Sequence, residues 1–230
     1  MKKITKLFLL LATVVLVIFS CKKDDLGFLE GDKDIPLTKV GSETSIYPSL
    51  GSYEFPTATA VITQNNNGLV TYKLNLDIDL SGNPDSAVIS DLITFLKNEE
   101  VINVDSDGLI DLGFQLFITS SGYQLMSDDG RPQTIVKYDD PVGTKYYYDN
   151  IYTSGKVVGT VTEKTGMDDW PLGFLYIKTS KVEFQYPSDM PFVEKLTIRA
   201  NHKFGIVYLE IKFRGVSTPG KIDFYPWFLL

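Results

Sequence analysis

The chain has 230 residues, 22 basic and 29 acidic, for a formal net charge of −7 with its single histidine neutral. That balance excludes sequence-blind binding to nucleic acid, whose phosphates demand a basic surface, and general attraction to anionic lipid. Apolar residues make up 43% and charged residues 22%, enough to bury a core, while one cysteine and one histidine cannot make an internal disulfide or an ordinary Cys/His zinc site.

A basic head, Met1-Lys2-Lys3-Ile4-Thr5-Lys6, precedes thirteen uncharged residues from Leu7 to Phe19. That length suits the apolar core of a secretory signal and falls short of the ~20 residues of a spanning helix. Ser20, a small residue, stands directly before the only cysteine, Cys21. The run Ile18-Phe19-Ser20-Cys21 resembles a bacterial lipobox. The resemblance implies a signal peptide over residues 1–20 and a lipid, with palmitate-type chains, on the Cys21 thiol. A second acyl group on the amine would make the anchor stable, because one chain binds a membrane only marginally.

Lys22-Lys23-Asp24-Asp25 resembles the lysine/acidic export signal of surface-exposed lipoproteins of the Bacteroidota. It implies an outer-membrane protein facing the cell exterior, with a periplasm-facing orientation as the alternative. Residues 21–36 are charged and turn-rich and are expected to be the lipidated tether, leaving residues 37–230 as a single antiparallel β domain.

Past the tether the pattern is that of strands. Thr57 to Thr63 is a β-branched run, and Asn65-Asn66-Asn67-Gly68 marks a turn. Val70, Tyr72, Leu74, Leu76, Ile78 and Leu80 then alternate with polar residues, which predicts a half-buried strand and closes a hairpin. One segment breaks the pattern. Val88, Ile89, Leu92, Ile93 and Leu96 recur at helical spacing after the start signal Asn83-Pro84-Asp85, predicting an amphipathic helix near 86–100 that needs a sheet to lie on.

Asn103, Asp105, Asp107, Leu109 and Asp111, with Gly108 for a sharp turn, match the first nine positions of a calcium loop. Calcium is the one ion the sequence suggests. Position twelve is Phe114 in place of a bidentate acid, so a metal-free Asp-Gly turn is the plain alternative.

Leu112, Phe114, Leu116 and Ile118 alternate again, and weaker strand candidates follow at 134–138, 145–148, 156–164, 174–179 and 182–186. Acid pairs at Asp128-Asp129, Asp139-Asp140 and Asp168-Asp169 lie in turn-like settings. A carboxylate-based glycoside hydrolase needs two such groups ~5–10 Å apart. Tyr146-Tyr147-Tyr148 and Trp170 are candidates to stack on a sugar ring, with Tyr147 and Trp170 as the expected ligand-binding residues.

Further strands are expected at Leu196–Ala200, Val207–Phe213 and Lys221–Tyr225, with His202 in the turn Asn201–Gly205. The hairpin around Ala200–Val207 resembles one in half-barrel envelope lipoproteins, and residues 134–230 resemble Bacteroidota lipoproteins that carry no known activity to transfer. The greasy end, Phe224 to Leu230, is expected to tuck into the core or close the mouth of a barrel. No repeat of 20–50 residues occurs, which argues against a solenoid or propeller.

The expected fold is mainly β: a curved antiparallel sheet, a partly closed barrel or a sandwich, with one helix. The expected function is a membrane-anchored, non-catalytic binding or accessory module, with an apolar molecule or another chain held in the concavity of its sheet. A glycan-binding surface protein and a carboxylate-based glycoside hydrolase are the alternatives.

Overall fold

The computed structural model describes residues 21–22, 27–50, 53–54, 57–76, 103–104, 110–127, 130–150, 154–165, 169–215 and 218–226. In chain order its elements are β1 (Cys21–Lys22), a 3-10 turn η1 (Pro36–Thr38), β2 (Glu43–Leu50), β3 (Tyr53–Glu54), β4 (Ala58–Asn66), β5 (Leu69–Leu76), β6 (Asn103–Val104) and β7 (Ile110–Thr119). There follow β8 (Gly122–Met126), β9 (Pro132–Lys137), β10 (Lys145–Asn150), β11 (Lys156–Lys164), β12 (Trp170–Leu172) and β13 (Leu175–Ile177). The last four are β14 (Ser180–Gln185), β15 (Val193–Asn201), β16 (Gly205–Phe213) and β17 (Gly220–Pro226). The predicted helix at 86–100 and the 105–109 part of the predicted calcium loop lie outside the described residues.

Twelve strands form one nearly closed antiparallel barrel, in the order β10-β11-β14-β15-β16-β17-β2-β4-β5-β7-β8-β9. The expected curved, mainly-β architecture is therefore the one the chain adopts. Strands alternate because successive side chains point to opposite faces. In β16, Val207, Leu209, Ile211 and Phe213 are buried, and the residues between them are less so. In β4, β5 and β14 the same alternation sends Ile62, Leu74 and Val182 into one interior core. Gly159 in β11 faces Phe184 of β14 in register, and any Cβ there would lie 2.5 Å from the Phe184 ring, so the missing side chain makes room for the aromatic one.

The β4–β5 hairpin is tighter than expected. Asn65 and Asn66 continue β4, and only Asn67 and Gly68 form the loop, with φ of 52° and 91°. Both positive values belong to the two-residue turn whose twist matches that of its strands, which Asn-Gly favours. The Asn65 side chain fixes this corner, accepting from the Gly68 N–H at 2.9 Å and donating to the Thr38 carbonyl at 2.8 Å.

Residues 27–36, expected to be tether, run with the following turn along the sheet and are hydrogen-bonded to it. The Leu29 N–H donates to the buried Gln124 side chain at 2.8 Å, and Gln124 donates back to the Gly27 carbonyl at 3.0 Å. Phe28 packs edge-on to Phe117 at 4.8 Å. The strap then reaches η1, where the fully buried Thr38 hydroxyl donates to the Lys33 carbonyl at 2.7 Å. This places Leu37 over the barrel end that carries the Asn67–Gly68 and Asn201–Gly205 turns, here called the upper end. At the opposite end, β1 pairs Cys21 with Asn150.

Between β9 and β10 the barrel closes through side chains, with no backbone ladder between the two among the described residues. The Tyr148 hydroxyl donates to the Thr134 carbonyl. The Tyr146 hydroxyl accepts from the Lys137 N–H at 3.3 Å and donates to Asp140 at 2.9 Å. Two phenols thus stand where a ladder would otherwise run.

Candidate functional site

A twelve-stranded ring is wider than the eight-stranded one that side chains just fill. Part of the interior accordingly stays open, as an apolar cavity of about 100 Å³. Its walls come from the inward-facing residues of strands all around the ring: Ile46 of β2, Ala60 of β4, Tyr72 of β5, Leu125 of β8 and Ile198 of β15. Leu37 of η1 and Phe204 of the Asn201–Gly205 turn line it from the upper end. No described lining residue is charged, and Thr44, Tyr72 and Tyr123 supply the polar side chains.

Two phenols, Tyr72 and Tyr123, line this cavity, and Tyr138 lies close enough to interact with both. Burial pushes the hydroxyls of Tyr72, Tyr123 and Tyr138 well above the ordinary tyrosine value of 10.0, and the neighbouring phenols raise Tyr123 and Tyr138 further. All three therefore keep their protons and can donate a hydrogen bond. The Tyr138 hydroxyl is sealed from solvent and has no hydrogen-bond partner among the described residues. An unpaired buried hydroxyl costs about 1–3 kcal/mol. Tyr123 points its hydroxyl at Gly205, where a Cβ would overlap it. With no carboxylate, imidazole or thiol among the described lining residues, the chemistry open to this cavity is dispersion and hydrogen bonding.

A second feature lies on the outer face. A register shift between Arg199 and Ala200 leaves Val207 of β16 without a Cα partner on β15. Val207 packs with Leu172 and Ile177 of the β12–β13 hairpin, which folds over the barrel wall as a small satellite core. At its border Arg199, only 9% exposed, lies 4.3 Å from the centre of the Trp170 ring. Arg199 donates to both Glu163 oxygens, at 3.2 and 2.8 Å, and that guanidinium holds the Glu163 carboxyl below its usual value. The hairpin presents Phe174 and Tyr176 to solvent at 81% and 64%, and Tyr47 meets Tyr225 edge-on nearby at 5.2 Å. Gly173 of the same hairpin approaches the Tyr225 ring.

The structure places the sequence-predicted residues as follows. Cys21 sits in β1, against the lower end of β10. Asn103 and Asp111 are backbone partners between β6 and β7, while Asp105, Asp107 and Leu109 lie outside the described residues. Tyr147 is exposed on β10, paired with Val158 of β11. Trp170, expected in a loop, is in β12, with its ring against Arg199 and Tyr208. Tyr147 lies on β10, whereas the Trp170 ring lies over Arg199 of β15 and Tyr208 of β16, at least three strands along the sheet. His202 is exposed in its turn, with its ring 6.4 Å from that of Tyr138. Of the acid pairs, Asp140 accepts from Tyr146 and Asp139 is exposed. Among the described residues no three His, Cys, Asp or Glu side chains gather as a metal site.

Sequence reasoning missed the cavity residues themselves. Tyr72 was legible as inward-facing, but alternation gives no sign of whether an inward hydroxyl finds a partner. No protein-family model, curated protein or solved structure matches this chain.

Proposed function

We propose that the protein is a lipid-anchored lipoprotein of the outer membrane, exposed at the cell surface. It acts there as a non-catalytic binding module whose barrel holds a small apolar molecule. The observation that carries the binding reading is the apolar cavity in the barrel, with no charged side chain among its described walls. Ligand sites are concave, largely apolar and furnished with few polar groups, and this one has that character. The anchoring reading rests on the lipobox-like Ile18–Cys21 run.

Ala60→Leu tests the binding reading. Ala60 is 4% exposed and lines the cavity, so a leucine there fills it from the wall. The expected result is that an apolar probe, methylenecyclohexane, raises the melting temperature of the parent and leaves that of Ala60→Leu unchanged. A parent that does not respond overturns the reading. For the anchor, Cys21→Ala is expected to move the protein from the membrane fraction to the soluble fraction and to abolish labelling by a fatty-acid probe. Unchanged labelling refutes it.

A second reading has its own support. Exposed rings at Tyr47, Phe174 and Tyr176 form an outer aromatic face, which favours a stacked glycan. Retention on a glycan array that survives Ala60→Leu and is lost in Tyr176→Ala would favour this face over the cavity.

A further inference from the structure

Taking the cavity to be a binding site, three features narrow its ligand. The first is size. The open volume is about 100 Å³, near that of an engineered apolar cavity of about 150 Å³ that admits benzene. Tyr72 and Phe114 both line it, with rings stacked at 5.2 Å and only 10° apart, and they offer a flat aromatic wall. A single small ring fits this volume.

The second feature is charge. No described lining residue is cationic or anionic. An ionised ligand would shed its water with no counter-charge to meet it. The ligand is therefore neutral.

The third feature is the set of hydroxyls. Tyr72 and Tyr123 line the cavity, and neither hydroxyl has a hydrogen-bond partner among the described residues. Tyr138 adjoins them as a third phenol, its hydroxyl buried and without a partner among the described residues. Gly205, at φ +77°, leaves the space that the Tyr123 hydroxyl uses. Such groups persist inside a wall when something else completes them. Protonated phenols donate, so the complementary group is an acceptor.

We propose that the cavity takes a small neutral ring compound bearing one acceptor oxygen, of the cyclic-ketone class, with that oxygen held by the hydroxyls of Tyr72 and Tyr123. The isosteric pair cyclohexanone and methylenecyclohexane tests this. The two differ in an oxygen against a methylene and share their shape. Each is titrated by NMR into the full chain and into the Tyr72→Phe/Tyr123→Phe double variant. That variant removes two oxygens and no packing atoms, and its circular dichroism is compared with the parent's.

The parent is expected to bind both probes. The double variant is expected to lose about tenfold or more in affinity for the ketone and to hold the hydrocarbon as tightly as before. If the ketone binds parent and variant alike, or only the hydrocarbon binds the parent, oxygen recognition is overturned and the apolar site stands. If neither probe binds the parent, both readings fall.

Discussion

Replacing Gly122 by valine is expected to cost about 3 kcal/mol of stability, read as a shift in the urea midpoint at constant slope. Gly122 opens β8, opposite Lys137 of β9. A Cβ there would overlap the Val136 carbonyl oxygen and come within 3.0 Å of the Lys137 Cα. Both are backbone atoms of the paired strand, so no rotamer change relieves the clash and the β8–β9 pairing must move. Gly143→Ala is the matched control. Gly143 also has a positive φ, of 96°, but nothing lies within 4 Å of its Cβ position. It should lose only about 1 kcal/mol, the cost of the left-handed backbone alone. Equal losses at the two sites would show that β9 yields freely at this point.

Ile46→Ala is the second large effect. Ile46 is 2% exposed and sits in the shared wall of core and cavity. Large-to-small changes of this kind cost about 2–5 kcal/mol, and the cost is greatest where neighbours cannot close over the gap. Here the gap opens onto a void that the ring of strands already holds apart, so collapse brings little relief. Thermal denaturation should show a loss toward the upper part of that range. Methylenecyclohexane should recover part of it by occupying the enlarged space. A loss below about 1 kcal/mol would mean that the upper barrel is softer than its packing implies.

Much of the architecture was legible because a half-buried sheet writes itself as a two-residue period. Val70-Tyr72-Leu74 and Leu209-Ile211-Phe213 carry that period without interruption, and both became barrel strands. β2 escaped notice because Pro48 breaks its run. The structure accommodates that proline beyond Ile46, the last residue of β2 that pairs with β4. β12 escaped because Trp170-Pro171-Leu172 has the composition of a turn, and the hairpin gains its stability from Val207 beneath it. The register shift that frees Val207 has no local signature in the sequence. The cavity was harder still. Nothing local specifies how many strands close a ring, and ring size decides whether inward side chains meet or leave space. The prominence of Trp170 and Tyr147 pointed to the outer surface, while two of the three polar side chains at the cavity, Tyr72 and Tyr123, are tyrosines that the pattern marks only as core.

The phenol-bridged junction of β9 and β10 also bears on how the molecule behaves in a crowd. A ring sewn shut by ladders offers no margin to a stranger, whereas a rolled ribbon whose hem is only buttoned keeps two latent margins. Such margins are templates on which another chain can knit itself. Here Pro132 begins one lip, and the exposed Lys137 and Lys145 stand where the two lips meet at the upper end. A ring that withholds an amide proton and two ammonium groups that dislike company are guards of the kind natural sheets post against polymerisation, and they stand where this barrel leaves its hem unsewn.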